Sequence, residues 1–105
     1  MTLFITSPTT SEIYEMDWTI SESFCNFIGI DSMMIENEYN TKLDWRKLNE
    51  FRKHLIDEMT SWEVYDDVED MNVYCNYIFA CNMVGDCLLD GSTYFDVSID
   101  NTDLL

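Results

Sequence analysis

Residues 71–83, MNVYCNYIFACNM, decide the fold, because they can be read as strand or as helix. Met71, Val73, Cys75, Tyr77, Phe79, Cys81 and Met83 alternate with Asn72, Tyr74, Asn76, Ile78, Ala80 and Asn82, which is the period of a strand. Asp66 with Glu69 just before them has the form of a capping box, and Gly85 just after them the form of a helix stop. The abundance of β-branched and aromatic residues, with almost no Ala, Leu, Glu or Lys, tips the expectation to strand. Downstream, Asp90-Gly91 reads as a hairpin turn between Cys87-Leu88-Leu89 and a last strand from Thr93 to Ile99. In that strand Phe95, Val97 and Ile99 oppose Tyr94, Asp96 and Ser98, and the tail from Asp100 to Leu105 is expected to fray.

Upstream, Thr2 to Thr6 reads as a strand, followed by a Ser7-Pro8-Thr9-Thr10 turn. From Glu12 the pattern alternates again, with Tyr14, Met16, Trp18 and Ile20 against Glu15, Asp17 and Thr19, which predicts a second strand hairpinned to the first. Thr19 with Glu22 then forms a capping box for a short helix that carries Ile20, Phe24, Phe27 and Ile28 and stops at Gly29. Residues 30–40 have no period and read as a connection, while Trp62 and Val64 alternate with Glu63 and Tyr65.

The stretch Thr41 to Thr60 contains all five bases: Lys42, Arg46, Lys47, Arg52 and Lys53. As a helix it gathers Trp45, Leu48, Phe51, Leu55, Ile56 and Met59 into one stripe, with Thr41 and Asp44 as its capping signal. Arg46 to Glu50, Lys53 to Asp57 and His54 to Glu58 are four apart and can pair, although bases early and acids late oppose the helix dipole. Only Asp44, Glu50, Asp57 and Glu58 of the 21 acids lie in this stretch, so the other seventeen occupy sequence with no lysine or arginine. The bases are therefore expected to serve chiefly as counter-charge for the acidic remainder. The fold class is α+β: an antiparallel sheet of four to six strands packed against one long amphipathic helix and one short helix, in a single domain over residues 1–105.

A net charge of -16 on a chain that is 47% hydrophobic and 14% aromatic implies a packed core within an acidic shell rather than charge-driven disorder. Such a shell repels nucleic acid and anionic membranes, so direct binding to either is not expected. No apolar run is long enough to span a bilayer, and nothing at the N-terminus resembles a secretory leader, so a cytoplasmic location is expected, in the host if the gene is carried by a phage. Cys25, Cys75, Cys81 and Cys87 are then expected to be reduced and mostly buried. One alanine, one proline and no glutamine is the usage of an AT-rich gene, such as those of low-GC bacteria, their phages and their mobile elements.

No catalytic, metal or cofactor constellation emerges. Cys75, Cys81 and Cys87 are evenly spaced, without the close pairs that zinc sites favour. His54 has no nucleophile signature near it in sequence and reads as exposed or salt-bridged. The run Asp66, Asp67, Glu69 and Asp70 lacks the glycine and ligand spacing of a selective calcium loop. Arg52 projects into the apolar stripe, where it is expected to stack on Trp45 or meet a buried carboxylate.

What remains is the segregation of charge. Carboxylates on alternate strand positions recur about every 6.6 Å, a separation like that of phosphates along a nucleic-acid strand. In size, charge and aromatic content the chain resembles the small acidic DNA-mimic inhibitors that phages and mobile elements use against restriction, CRISPR or DNA-repair proteins. No motif carries this resemblance, so no family residue is transferred. It implies a non-enzymatic protein that blocks a basic nucleic-acid-binding partner, a nuclease or a restriction or CRISPR complex. Glu63, Asp66, Asp67, Glu69 and Asp70 are the expected centre of the contact, with Glu36, Glu38, Glu12, Glu15 and Asp17 as further acids and Tyr39 and Tyr65 as rim anchors. The alternative is an antitoxin or immunity-type protein that neutralises one basic partner without imitating nucleic acid. An exposed part of the helix stripe or an edge strand could also pair two copies.

Overall fold

The computed structural model describes residues 1–61 and 68–101, with the side chains of 68–70 outside the description. The order is β1 (Thr2–Thr6), β2 (Ile13–Met16), α1 (Trp18–Ile28), a 3-10 turn (Ser32–Met34), β3 (Glu38–Asp44), α2 (Trp45–Thr60), α3 (Val68–Leu89) and β4 (Tyr94–Asp100). The four strands form one antiparallel sheet in the order β2-β1-β4-β3. The α+β class, the β1–β2 hairpin and the antiparallel sheet agree with the sequence reading.

Residues 71–83 are helical, not extended. Helix α3 buries Tyr77, Ala80, Cys81, Val84 and Cys87, which recur at helical spacing, but its opposite side is also apolar. With apolar residues on both sides, the sequence shows no contrast to mark a 3.6-residue period, and tertiary burial overrides the local preference for strand. Gly85 lies inside the helix instead of ending it. Asp90-Gly91 therefore joins a helix to a strand rather than two strands: Gly91 takes φ 84°, and the Asp90 carboxylate accepts the Ser92 N–H at 2.8 Å.

Two boundaries also move. Residues 38–44 form β3 across from β4, so Thr41 lies in a strand and Asp44 is the N-cap of α2, accepting the Lys47 N–H at 2.7 Å. The second strand ends at Met16, and Asp17 caps α1 by accepting the N–H groups of Thr19 at 3.1 Å and Ile20 at 3.3 Å. Trp18 and Ile20 are consequently helical. Gly29 does stop α1, in the left-handed conformation at φ 79°, with its N–H donating to Cys25.

All three helices lie on one face of the sheet. Their buried residues share one core with Leu3 and Ile5 of β1, Met16 of β2, Leu43 of β3 and Phe95, Val97 and Ile99 of β4. At its centre the Phe24 and Phe51 rings meet edge to face at 5.1 Å, and Phe27 lies 5.4 Å from Phe51. Among the described residues Arg52 neither stacks on Trp45 nor meets a carboxylate. Its Nε donates to the Cys81 carbonyl of α3 at 3.1 Å, and Arg46 lies over Trp45 instead.

Candidate functional site

Strand alternation turns one set of side chains away from the helices, and the register aligns them in rows. Glu15, Phe4, Ser98 and Asn40 make one row; Ile13, Thr6, Asp96 and Lys42 make the next. Thr2, Asp100 and Glu38 form a third, and Tyr94 stands beside Asp44 at the far end. This open face carries Glu15, Glu38, Asp44, Asp96 and Asp100 against one base, Lys42. The Lys42–Asp96 pair is 4.0 Å long with both side chains more than half exposed, and so worth little. Glu38 is directly opposite Asp100, a like-charge pair that costs the sheet stability. Several of these acids are also engaged within the chain: Asp44 caps α2, Asp96 meets Lys42, and Glu38 accepts from Asn40 Nδ2 at 2.6 Å.

The acids expected from sequence fall in different places. Glu15 and Glu38 are on the open face, and Glu36 is exposed just before β3. Glu12 is engaged by its neighbour Tyr14, whose hydroxyl donates to it at 2.5 Å. Asp17 is used internally: besides capping α1, it accepts from Thr19 Oγ1 and from Asn76 Nδ2 of α3, each at 2.5 Å. It belongs to the helix packing and not to the acidic surface. Tyr39 points inward and packs half-buried against the core, so it is not a rim anchor. Glu63, Tyr65, Asp66 and Asp67, and the side chains of Glu69 and Asp70, lie outside the described residues. Asp96 and Asp100 join the face because β4 brings them between Glu15 on one side and Glu38 on the other. The alternation of residues 93–99 signals which of their side chains turn outward, but the sequence does not say which strands flank them.

Among the described residues the bases divide between the acidic remainder and their own helix. Lys42 reaches Asp96, but Lys47 pairs with Glu50 of its own helix at 3.5 Å and lies 5.1 Å over the Phe27 ring.

Two polar clusters bind elements together. Glu58 of α2 accepts from Ser23 of α1 at 2.8 Å and from the Tyr77 hydroxyl of α3 at 2.7 Å, and contacts His54 Nε2. Burial and the Glu58 hydrogen bond push the Tyr77 phenol up. The cluster contains Ser, His and Glu, but the Ser23 hydroxyl donates to the carboxylate rather than to the imidazole, so no base activates it. Asp90 accepts from Ser7 of the β1–β2 turn, and Ser92 meets Thr9 at 2.5 Å. Burial would raise Asp90, but the Ser7 hydroxyl and the Ser92 N–H and hydroxyl outweigh it and hold the carboxyl below its ordinary value.

Cys25, Cys81 and Cys87 are buried, and burial pushes each thiol up, Cys87 to about 12. Thiols held protonated are poor nucleophiles. Cys75 is exposed, contrary to the expectation of burial, because it lies on the outward side of α3 rather than on a sheet face. Among the described residues no three His, Cys, Asp or Glu side chains are placed to share a metal ion, and no helix is long and apolar enough to cross a membrane.

The molecule is thus an α+β domain with helices on one face of its sheet and carboxylates on the other. Compared with protein-family models, curated proteins and solved structures, the chain finds no match.

Proposed function

We propose that this chain is a small acidic inhibitor that presents its open sheet face, in place of nucleic acid, to the basic groove of a nuclease or of a restriction or CRISPR complex. The observation that carries the reading is the collection of Glu15, Glu38, Asp96 and Asp100 from three strands onto one uncovered surface, with Glu38 opposite Asp100. Neighbouring positions on such a face are about 6.6 Å apart along a strand and about 4.8 Å across strands. The sheet fixes the backbone positions of these charges, and each exposed side chain gives up only its own rotamer freedom on binding. A basic groove that closes on them releases counterions from both surfaces, as it does with DNA. Phe4 and Tyr94 add ring surface within the same face.

The test is affinity capture from host lysate at low salt, with elution by a salt gradient and by duplex DNA. A nucleic-acid-handling protein released by both supports the reading. Charge reversal of Glu15, Glu38 and Asp96 to lysine is expected to abolish capture while leaving the circular dichroism unchanged. A parallel reversal of Asp66, Asp67, Glu69 and Asp70 tests the acidic run before α3. Loss of capture in that variant alone moves the contact off the sheet.

A further inference from the structure

The outward side of α3 is the chemical opposite of the sheet face. From Met71 to Gly85 there is no charged residue, the longest such run in a chain of net charge -16. Yet Met71 is 54% exposed, Ile78 38%, Phe79 62% and Leu89 85%. Depletion of charge with enrichment of Met and aromatic residues is the signature of an interface core rather than of a solvated surface.

Spacing identifies the occupant. Met71, Cys75, Ile78, Asn82, Gly85 and Leu89 follow one another at intervals of four, three, four, three and four, the seam of a two-helix coiled coil. Cys75, Asn82 and Leu89 are exposed on this line, opposite the buried Tyr77, Ala80, Val84 and Cys87. A seam of this period matches a second helix of the same period, and this chain supplies one. A basic partner would be drawn to the carboxylates elsewhere, whereas a second copy, itself acidic, meets little repulsion on this uncharged surface.

We infer that two copies of this chain associate through parallel α3 helices, with Ile78 facing Ile78, Asn82 facing Asn82 and Cys75 facing Cys75 across a twofold axis. The parallel arrangement follows from Asn82: in register it meets another asparagine amide, whereas the antiparallel arrangement sets it against Ile78. The dimer leaves the acidic sheet faces free, and its salt dependence is opposite in sign to that of the proposed partner complex. Asp86 borders the seam, so screening relieves repulsion between the copies, and salt tightens the dimer.

Sedimentation equilibrium of the purified chain at about 50 and about 500 mM NaCl tests this directly. The expected result is a dimer whose dissociation constant falls several-fold at the higher salt. Ile78→Lys and, separately, Leu89→Lys are expected to weaken self-association at least about tenfold with unchanged circular dichroism; Leu89 is exposed at the helix end, so its variant folds even if the first does not. A short bismaleimide is expected to link two copies through Cys75, and Cys75→Ser to abolish the link. A monomer at about 100 μM in high salt overturns the inference, as does a dimer indifferent to both lysine variants. A dimer that cannot be linked through Cys75 overturns the parallel arrangement. Because no outside partner enters the measurement, its failure leaves the acidic-inhibitor reading untouched, and the reverse also holds.

Discussion

Helix α2 holds four of the five bases and buries one narrow stripe, Leu48, Phe51 and Leu55, whereas α3 has no charge from Met71 to Gly85 and is apolar on both sides. The two pack together against the same core, so burial on the inner side is common to both. The outer sides differ. That of α2 is an ordinary solvated surface of charges, on which Lys47 pairs with Glu50 and Arg46 lies over Trp45. That of α3 exposes Met71, Ile78, Phe79 and Leu89, and Asp86 is the one charge between Met71 and Leu89. An amphipathic helix needs nothing beyond its own domain to satisfy its surface, whereas a helix that exposes large apolar side chains on its outer side offers a surface for a second contact.

The contrast is sharpest between inner and outer substitutions. Phe51→Ala removes a fully buried ring that meets Phe24 and Phe27, and is expected to cost about 3–5 kcal/mol in urea unfolding. Ile78→Lys on the outer side of α3 is expected to change monomer stability by no more than about 0.5 kcal/mol. A large loss on Ile78→Lys at concentrations where the chain is monomeric would mean that the outer side is already satisfied within one copy. Next in size is the tie between the helices: Glu58→Ala removes the hydrogen bonds that the Ser23 and Tyr77 hydroxyls donate to its carboxylate, and is expected to cost about 1–3 kcal/mol.

The inner side of α3 also sets an alkaline limit. Burial raises the Cys87 thiol from 9.0 to about 12, so its contribution is complete below pH 9 and is lost as pH rises from there towards about 12. Cys81 is raised in the same direction. Urea midpoints are expected to fall between pH 9 and pH 11, with roughly 1 kcal/mol lost to Cys87 by pH 10, and Cys87→Ala to flatten the decline. The smallest effect has the opposite sign. A methyl group at Gly85 would lie 3.8 Å from Arg52 Nε, an ordinary contact, so Gly85→Ala is expected to stabilise α3 by about 0.5–1 kcal/mol. Destabilisation by that change would show that the methyl displaces Arg52 from its hydrogen bond to the Cys81 carbonyl.

The same two helices explain what the sequence reveals and what it hides. The stripe of α2 stands out because charged residues interrupt it at the right period, and β1 and β4 are legible because polar and apolar residues alternate. In α3 the inner Tyr77, Ala80, Cys81 and Val84 merge with the outer Tyr74, Cys75, Ile78 and Phe79 into one apolar stretch, where a strand period fits as well as a helical one. At Thr41 to Asp44 the charges of the helix carry over into the strand before it, which hides the boundary. The acidic face was visible only in halves. Alternation points Glu15 and Asp96 outward, but the pairing of β4 with both β1 and β3, which unites them with Glu38, depends on contacts distant in sequence.

The most direct test of the acidic face is the release of a captured partner as a function of salt, with and without duplex DNA, for the wild-type chain and for the variant with Glu15, Glu38 and Asp96 changed to lysine. The expected result is a nucleic-acid-handling protein that dissociates steeply with rising salt, is displaced by DNA and is not captured by the variant. A partner that holds through high salt, ignores DNA and binds the variant equally well would contradict the account.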